Sequence, residues 1–270
     1  MKVIAALTKH YQPHPALKAY VRYYWALDIE AGGNLMLNLQ VMADRYPRIV
    51  IQCLDGKNAL HSDYYRSIPA ASLKGITSKP AHFQMEPTYS HVAISLFPHG
   101  VKALFGIDGY ETVDSVLDLQ HFFPKEVIEK IIEARQTNTR ISVLEKYLLQ
   151  KLSMIKAVDR RVANFIHLCP RTHYGRVLDQ YGISERQFER KFLQFIGFTP
   201  SYYKRVTRFE MAYSRIQQGD YQSLSGLAYE LGYADQSHLN RDFKKFSGAT
   251  PLSLITKHEL VTESGSVLTA

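Results

Sequence analysis

The chain has 270 residues, of which 46% are hydrophobic and 21% are charged, so a packed globular protein is expected and extensive disorder is not. Its two cysteines, Cys53 and Cys169, exclude a disulfide framework or a cysteine-type zinc site and fit a reducing compartment. The formal net charge of +8 suits a polyanionic partner, although many basic proteins bind no nucleic acid.

The first residues carry no targeting signal that we can identify. The apolar run from Val3 to Leu7 is too short for the core of a signal peptide. No stretch approaches the eighteen consecutive apolar residues that a membrane span requires. We therefore expect a soluble, cytoplasmic protein with no membrane partner.

The first hundred residues predict a β-rich domain. Residues 48–56 and 90–100 are β-branched runs that end in turn signals, and residues 34–42 begin with alternating polar and apolar side chains. Residues 14–28 are mixed and predict a short helix that runs into a strand.

From about residue 112 the hydrophobic period becomes helical. Residues 113–123 predict one short helix, and Pro124 opens another. A third helix carries a single apolar stripe, with Ser142 and Glu145 at capping-box spacing near its start. The stripe consists of Ile141, Leu144, Leu148, Leu152 and Ile155. This helix predicts a connector between two domains.

An internal repeat dominates the rest of the chain. At an offset of 51 residues, similar or identical side chains coincide within a dozen positions. The pairs are Phe188 and Leu239, Arg190 and Arg241, Phe192 and Phe243, Phe195 and Phe246, Gly197 and Gly248, Thr199 and Thr250, and Pro200 and Pro251. Period and content indicate two helix–turn–helix units.

Each unit contains the parts that such a motif needs. Gly182 and Gly232 stand where the chain turns between two helices, and Ser184 and Asp235 can cap the second helix. Between the units, residues 201–219 predict one long helix that holds them at a fixed separation. Its apolar stripe consists of Tyr202, Val206, Phe209, Tyr213 and Ile216.

The outer face of each second helix is polar and cationic, and a helix of this kind fits the major groove of B-DNA. Arg241 can contact guanine in a bidentate manner and Asn240 can pair with adenine, whereas Lys244 and Lys245 are better placed for phosphates. In the first unit the matching face carries Arg186, Glu189 and Arg190.

Residues 232–251, GYADQSHLNRDFKKFSGATP, closely resemble the second helix–turn–helix of AraC/XylS-type bacterial transcription regulators. Residues 182–200 resemble their first unit, and residues 205–216 resemble their linker helix. Residues 11–25 and 91–106 are similar to a sensor domain of some of these regulators. The resemblance implies double-stranded DNA and RNA polymerase as partners, with the units in successive major grooves. It also implies that the DNA contacts are made by Arg186, Glu189, Arg190, Gln236, Ser237, Asn240 and Arg241.

A DNA-targeted enzyme is the main alternative to a transcription regulator. A DNA-targeted enzyme such as a repair methyltransferase uses similar units, but its reactive cysteine follows a proline, whereas Cys169 precedes one. No HExxH or CxxC pattern is present, so we predict no catalytic residue, metal or cofactor. The first domain either binds a small-molecule effector or contacts only partner proteins; the sequence leaves both open.

The predicted fold class is α+β. A β-rich effector domain covers residues 1–137, and a helical connector covers residues 138–155. An all-α domain with two helix–turn–helix units joined by a long linker helix covers residues 156–258, and a flexible tail covers residues 259–270.

Overall fold

A computed structural model describes residues 5–30, 36–54, 59–62, 64–65, 68–154, 162, 165–166, 178, 182–256, 260–261 and 267–269. Cys169, Ile155 and most of the first helix predicted for the first unit lie outside these residues. Among the described helices, none is both long and apolar enough to cross a membrane.

Eleven strands are described. They are β1 (Ala5–Tyr11), β2 (Val21–Glu30), β3 (Leu37–Val41), β4 (Arg48–Gln52), β5 (Leu60–His61), β6 (Ala71–Lys74), β7 (Ala81–Met85), β8 (Thr88–Leu96), β9 (Val116–Asp118), β10 (Leu260–Val261) and β11 (Val267–Thr269). They form two antiparallel sheets. The first has the order β1-β2-β8-β4-β6-β9, and the second has the order β10-β11-β3-β7-β5.

The helices, in chain order, are α1 (Gly100–Phe105), α2 (Gly109–Thr112), α3 (Lys125–Glu133), α4 (Thr137–Ser153), α5 (Glu185–Ile196), α6 (Pro200–Gln218), α7 (Leu224–Glu230), α8 (Gln236–Ser247) and α9 (Pro251–Thr256). A β-rich region is thus followed by a helical one, as the sequence predicts.

Helices α3 and α4 cover one face of the first sheet. Ile49 of β4 and Ile94 of β8 are fully buried in the same core cluster as Ile141, Leu144 and Leu148 of α4. Burial of several aliphatic side chains of this size contributes about 1.5–3 kcal/mol each. The apolar stripe of α4 therefore packs on the β-rich domain.

Two local predictions before residue 155 were wrong. Residues 113–123 form no α-helix, because β9 pairs with β6 and a short 3-10 turn, Leu119–His121, follows it. Helix α4 starts five residues before Ser142, so this hydroxyl donates to the carbonyl of Asn138 within the helix rather than capping it. Glu145 instead accepts a hydrogen bond from the backbone N–H of His14.

The end of the chain also differs from the prediction. Instead of a flexible tail over residues 259–270, β11 pairs with β3 and so extends the second sheet. An unpaired edge of β3 offers backbone donors and acceptors to any strand that reaches it, and local sequence cannot reveal such long-range pairing.

Helices α5 to α9 share one core. Val206, Phe209 and Ile216 of α6 are buried, together with the aromatic side chains that α5 and α8 direct inward. Met42 and Ala43, from the segment between β3 and β4, belong to the same cluster. The helical domain is therefore packed against the β-rich domain.

Candidate nucleic-acid interface

Helices α5 and α8 occupy ranges that are exactly one repeat apart, and each begins at a side-chain cap. The hydroxyl of Ser184 accepts from the backbone N–H of Gln187 at 3.3 Å, and the Gln187 side chain completes a capping box. The Asp235 carboxylate accepts from the backbone N–H of His238 at 2.6 Å. Gly182 and Gly232 have φ values of 56° and 73°, which glycine adopts without strain.

One face of each helix is buried. Phe188 and Phe192 of α5, and Leu239, Phe243 and Phe246 of α8, have no exposed surface, as predicted. Phe195 is only partly buried. Burial of these side chains fixes the rotation of each helix and hence which residues point outward.

The opposite face of each helix is open to solvent. The exposed residues are Arg186, Glu189 and Arg190 of α5 and Ser237, Arg241, Lys244 and Lys245 of α8. Gln236 and Asn240 are half-buried, and the side-chain oxygen of Gln236 accepts from the hydroxyl of Ser225 at 2.7 Å. Every residue predicted from the sequence to contact DNA thus has at least partial access to solvent.

A buried carboxylate behind the α8 face escaped the sequence analysis. Asp242 is fully buried, and its Oδ1 accepts from the Nε of Arg205 on α6 at 2.7 Å. Arg208, one turn further along α6, donates to the carbonyl of Gly232 at 2.7 Å, and its guanidinium lies 4.0 Å from the centre of the Tyr233 ring. These contacts fix α8 and its preceding turn to α6. Arg205 and Arg208 are three residues apart, which places both side chains on one face of a helix. This spacing is the feature of the sequence that could have indicated their shared role.

A polar cleft lies where α6 meets the start of α8. Its lining residues are Ser201, Lys204, Arg205, Arg208, His238 and Arg241. Lys204 is exposed, and Arg205 and Arg208 keep 35% and 20% of their side chains accessible. The cationic surface therefore continues from α8 onto the linker helix, and the sequence analysis assigned no DNA contact there.

The C-terminal ends of both helices lie against the β-rich domain. At the end of α8, the carbonyls of Phe246 and Ser247 accept from the Ala43 N–H at 2.8 Å and the Gln40 amide at 2.7 Å. At the end of α5, Gly109 of α2 lies so close to the backbone of Ile196 that a Cβ there would come within 2.5 Å of it. In the N-terminal halves, Arg186, Glu189 and Arg190 of α5 and Ser237 and Arg241 of α8 stay exposed.

A partly buried ion pair also links the domains. Arg45 donates through Nε to the Glu210 carboxylate of α6 at 2.7 Å, and through Nη1 to the hydroxyls of Tyr203 and Thr207 at 3.2 and 3.0 Å. Burial raises the pKa of Glu210 to about 7, and the Arg45 guanidinium opposes that rise. Such a pair is sensitive to the relative position of the two domains, because either charge alone would be costly to bury.

Comparison with known proteins agrees with this geometry. Residues 177–256 match a family described as a helix-turn-helix domain, and residues 9–118 match a domain of unknown function, DUF6597. The HTH-type transcriptional activator RhaS of Pectobacterium atrosepticum is 32% identical over 82 residues, which is 30% of this chain and 29% of the relative. RhaS of Pectobacterium carotovorum is 30% identical over the same length. The chain thus matches less than a third of these curated relatives.

Among solved structures, ToxT from Vibrio cholerae O395 aligns with 86% of this chain and 96% of its own, at 10% identity and a TM-score of 0.42. The family assignment comes instead from the tandem units and from the sequence matches to them. The helix–turn–helix domain of this chain is of the AraC/XylS type, found in a family of transcription regulators.

Proposed function

We propose that the chain is a sequence-specific transcription regulator that places α5 and α8 in successive major grooves of double-stranded DNA. The observation that carries this proposal is the repeated arrangement itself: two helices, one repeat apart in sequence, each with a buried aromatic face and an exposed polar face. Helix α6 runs between them as a rigid spacer. A helix in this setting reads bases with its first two turns.

In the second unit, Arg241 and Asn240 are the proposed base-reading residues. A bidentate arginine–guanine contact contributes about 1–3 kcal/mol of discrimination against the wrong base. Gln236 and Ser237 precede them in the first turn, and Lys244 and Lys245 neutralise phosphates.

In the first unit, Arg186 and Arg190 take the equivalent positions around Glu189. The carboxylate of Glu189 repels phosphates but can accept a hydrogen bond from the amine of cytosine. We therefore propose that α5 contributes base contacts whose sequence preference differs from that of α8.

The β-rich domain, with the connector up to residue 155, is proposed to control the DNA-binding domain in the cytoplasm, in response to a small-molecule effector. Its contacts with α5, α6 and α8 give it a direct route to both reading helices. RNA polymerase is the proposed protein partner, and we propose no catalytic role.

The test begins with selection of binding sites from randomised DNA by the full-length protein, followed by anisotropy titrations on the selected site. If about 5–8 phosphates are neutralised, log K falls against log salt with a slope of about −5 to −7. A slope near zero, or no enriched site, would contradict DNA binding.

A pair of variants separates base reading from charge attraction. Arg241→Ala should weaken binding to the preferred site roughly ten- to a hundredfold and leave non-specific binding nearly unchanged. Lys245→Ala, one turn later on the same helix, should weaken all DNA alike and reduce the salt slope by about one. If Arg241→Ala selects the same site with the same information at every base, then α8 does not read sequence.

A further inference from the structure

A cavity of about 110 Å³ lies between the two sheets of the β-rich domain. Most of its wall is apolar and comes from both sheets. The apolar lining includes Trp25, Leu39, Val50, Phe83, Tyr89 and Val116. An apolar cavity of about 150 Å³ accepts a benzene molecule, so a compact organic group fits this one with little rearrangement.

Two cations share one wall of this cavity. Arg48 of β4 and Lys74 of β6 are directly paired across the antiparallel ladder, and both line the cavity. The next pair on the same face, Val50 and Ser72, lines it too. Like charges at directly opposed positions of a sheet destabilise it. Some other interaction must therefore favour this arrangement.

The charges on that wall do not cancel within the described part of the chain. Arg48 forms an ion pair with Asp44, which is buried beside it. The described residues offer Lys74 no carboxylate within ion-pair distance, and its ammonium lies 5.1 Å from the centre of the Phe83 ring. Burial and the neighbouring Arg48 lower the pKa of Lys74 to about 7, and the carboxylates of Asp44 and Asp114 oppose this shift.

The remaining polar groups add no negative charge. His91 is buried, and its Nδ1 lies 3.0 Å from the hydroxyl of Tyr89. Burial and Arg48 hold the pKa of His91 far below its ordinary value, so its ring is neutral. His10 and the hydroxyl-bearing Ser72 complete the lining. Among the described lining residues, Lys74 is therefore a basic side chain with no carboxylate at ion-pair distance, and apolar wall surrounds it.

We propose that this cavity binds a small organic monocarboxylate, with the carboxylate at Lys74 and Ser72 and a compact apolar body among the aromatic and aliphatic side chains. This names the effector class of the proposed regulator and rests on that proposed function. A single carboxylate can pair with the protonated Lys74, whereas an inorganic anion would leave the apolar wall unfilled and a sugar would find few hydrogen-bond partners.

Isothermal titration of the full-length protein, without DNA, tests the proposal with two carboxylates of different shape, phenylacetate and hexanoate. Each is compared with its neutral amide, phenylacetamide or hexanamide. We expect at least one carboxylate to bind, and its amide to bind at least tenfold more weakly. Failure of both carboxylates to bind, or equal binding of acid and amide, would overturn the proposal.

A variant pair locates the site. Lys74→Met preserves the length of the side chain and should weaken carboxylate binding at least tenfold, whereas Lys125→Met, at an exposed position of α3, should leave it unchanged. Circular dichroism checks that both variants fold. If Lys74→Met is folded and binds as the wild type does, the proposed site is wrong.

Proton uptake gives a second readout on the wild-type protein. Because the pKa of Lys74 is near 7 in the free protein, a bound carboxylate that restores its charge must draw a proton from the buffer at pH 7.5. Titrations in two buffers of different ionisation enthalpy should show this uptake. Carboxylate binding without uptake would contradict the role of Lys74.

These outcomes also separate this inference from the proposed function. Carboxylate binding at Lys74 with no effect on DNA binding would support the proposed ligand site. It would also show that this site does not control DNA binding. Selective DNA binding by a protein that binds neither carboxylate would support the regulator and overturn the ligand class.

Discussion

The two helix–turn–helix units are copies in sequence, but different parts of the molecule support their second helices. In the second unit, the fully buried Asp242 ties α8 to Arg205 of the linker helix. One repeat earlier, the equivalent position of α5 is Lys191, which is only half-buried. The position that holds a buried carboxylate between two helices in the second unit thus holds a half-buried cation in the first unit.

The contacts with the β-rich domain differ in kind as well. The end of α8 accepts two hydrogen bonds from it, at Phe246 and Ser247. The end of α5 meets it through a close backbone approach at Gly109, with a weaker polar contact of 3.4 Å between Gln194 and Asp108.

This difference indicates which of the two units the β-rich domain can influence. The orientation of α8 is set largely inside the helical domain, by its buried carboxylate and aromatic face. At the equivalent position α5 has a lysine instead of a buried carboxylate, and its end meets the β-rich domain closely, so we expect its position to depend more on that domain. We therefore expect the sequence preference of the second unit to stay constant when the β-rich domain changes. We expect the position of the first unit to change with that domain.

The largest effect is expected from removing the internal anchor of α8. Asp242→Asn leaves the shape of the side chain but deletes the charge that faces Arg205 and Arg208. Breaking a buried ion pair costs about 3–5 kcal/mol, and the partial exposure of both arginines places this one near the lower end, at roughly 3 kcal/mol. Urea unfolding monitored by circular dichroism measures it.

Lys191→Ala at the equivalent position of the first unit is the matched control, with an expected change below about 1 kcal/mol. Equal losses of unfolding free energy in the two variants would show that the units are anchored alike.

A smaller effect is expected where α5 touches the β-rich domain. In Gly109→Ala the new Cβ would lie 2.5 and 2.6 Å from backbone atoms of Ile196 and Gly197, which cannot move aside as a side chain can. Overpacking of this kind costs about 1–3 kcal/mol, so amide exchange near the end of α5 should accelerate about ten- to a hundredfold. Exchange in α8 should not change.

Gly226→Ala is the control, because its new Cβ meets only the hydroxyl of Ser223, at 3.1 Å. If Gly109→Ala leaves exchange in α5 at the control value, the contact with α2 does not hold this helix in solution.

The sequence predicted the helical domain better than the β-rich one. Local signals determine α5 and α8: Ser184 and Asp235 cap them, and aromatic residues at helical spacing bury one face. The strand Val116–Asp118 and the pairing of Val267–Thr269 with β3 depend on partners far away in the chain. No periodicity within those segments contains that information.

The same limit applies to the sites. The residues that α8 exposes to DNA can be deduced from the helical spacing of its own sequence, so the exposure of Arg241 could be predicted. The burial of Asp242 could not be predicted in this way, because its partner Arg205 lies on α6, 37 residues earlier in the chain. The cavity cations Arg48 and Lys74 are neighbours only because β4 pairs with β6, a strand that follows two positions later in the chain.

Base reading should also differ between the units. Arg190→Ala should weaken binding to the selected site about three- to tenfold, which is less than the effect of Arg241→Ala, because the neighbouring Glu189 repels phosphates and makes the docking of α5 less favourable. Selection from randomised DNA by each variant assigns the affected base positions to one unit or the other. A larger loss for Arg190→Ala than for Arg241→Ala would reverse the ranking of the two units.

The smallest effect is expected from making the first unit resemble the second. Glu189 lies one repeat before Asn240, so Glu189→Asn gives α5 the side chain that α8 already has at this position. Loss of the carboxylate removes repulsion from nearby phosphates, a contribution of about 0.5–1 kcal/mol at an exposed site. Non-specific affinity should rise about two- to fivefold, and this gain should shrink at high salt because exposed charges are screened.

Selection of binding sites by the Glu189→Asn variant tests whether Glu189 contacts a base. If Glu189 accepts from a cytosine amine, the variant should lose preference for cytosine at one base pair and gain preference for adenine there, because asparagine pairs with adenine. If non-specific affinity rises while the selected site stays the same, then Glu189 only repels phosphates. The first unit would then contribute attraction and position, and Arg241 and Asn240 would carry the sequence preference.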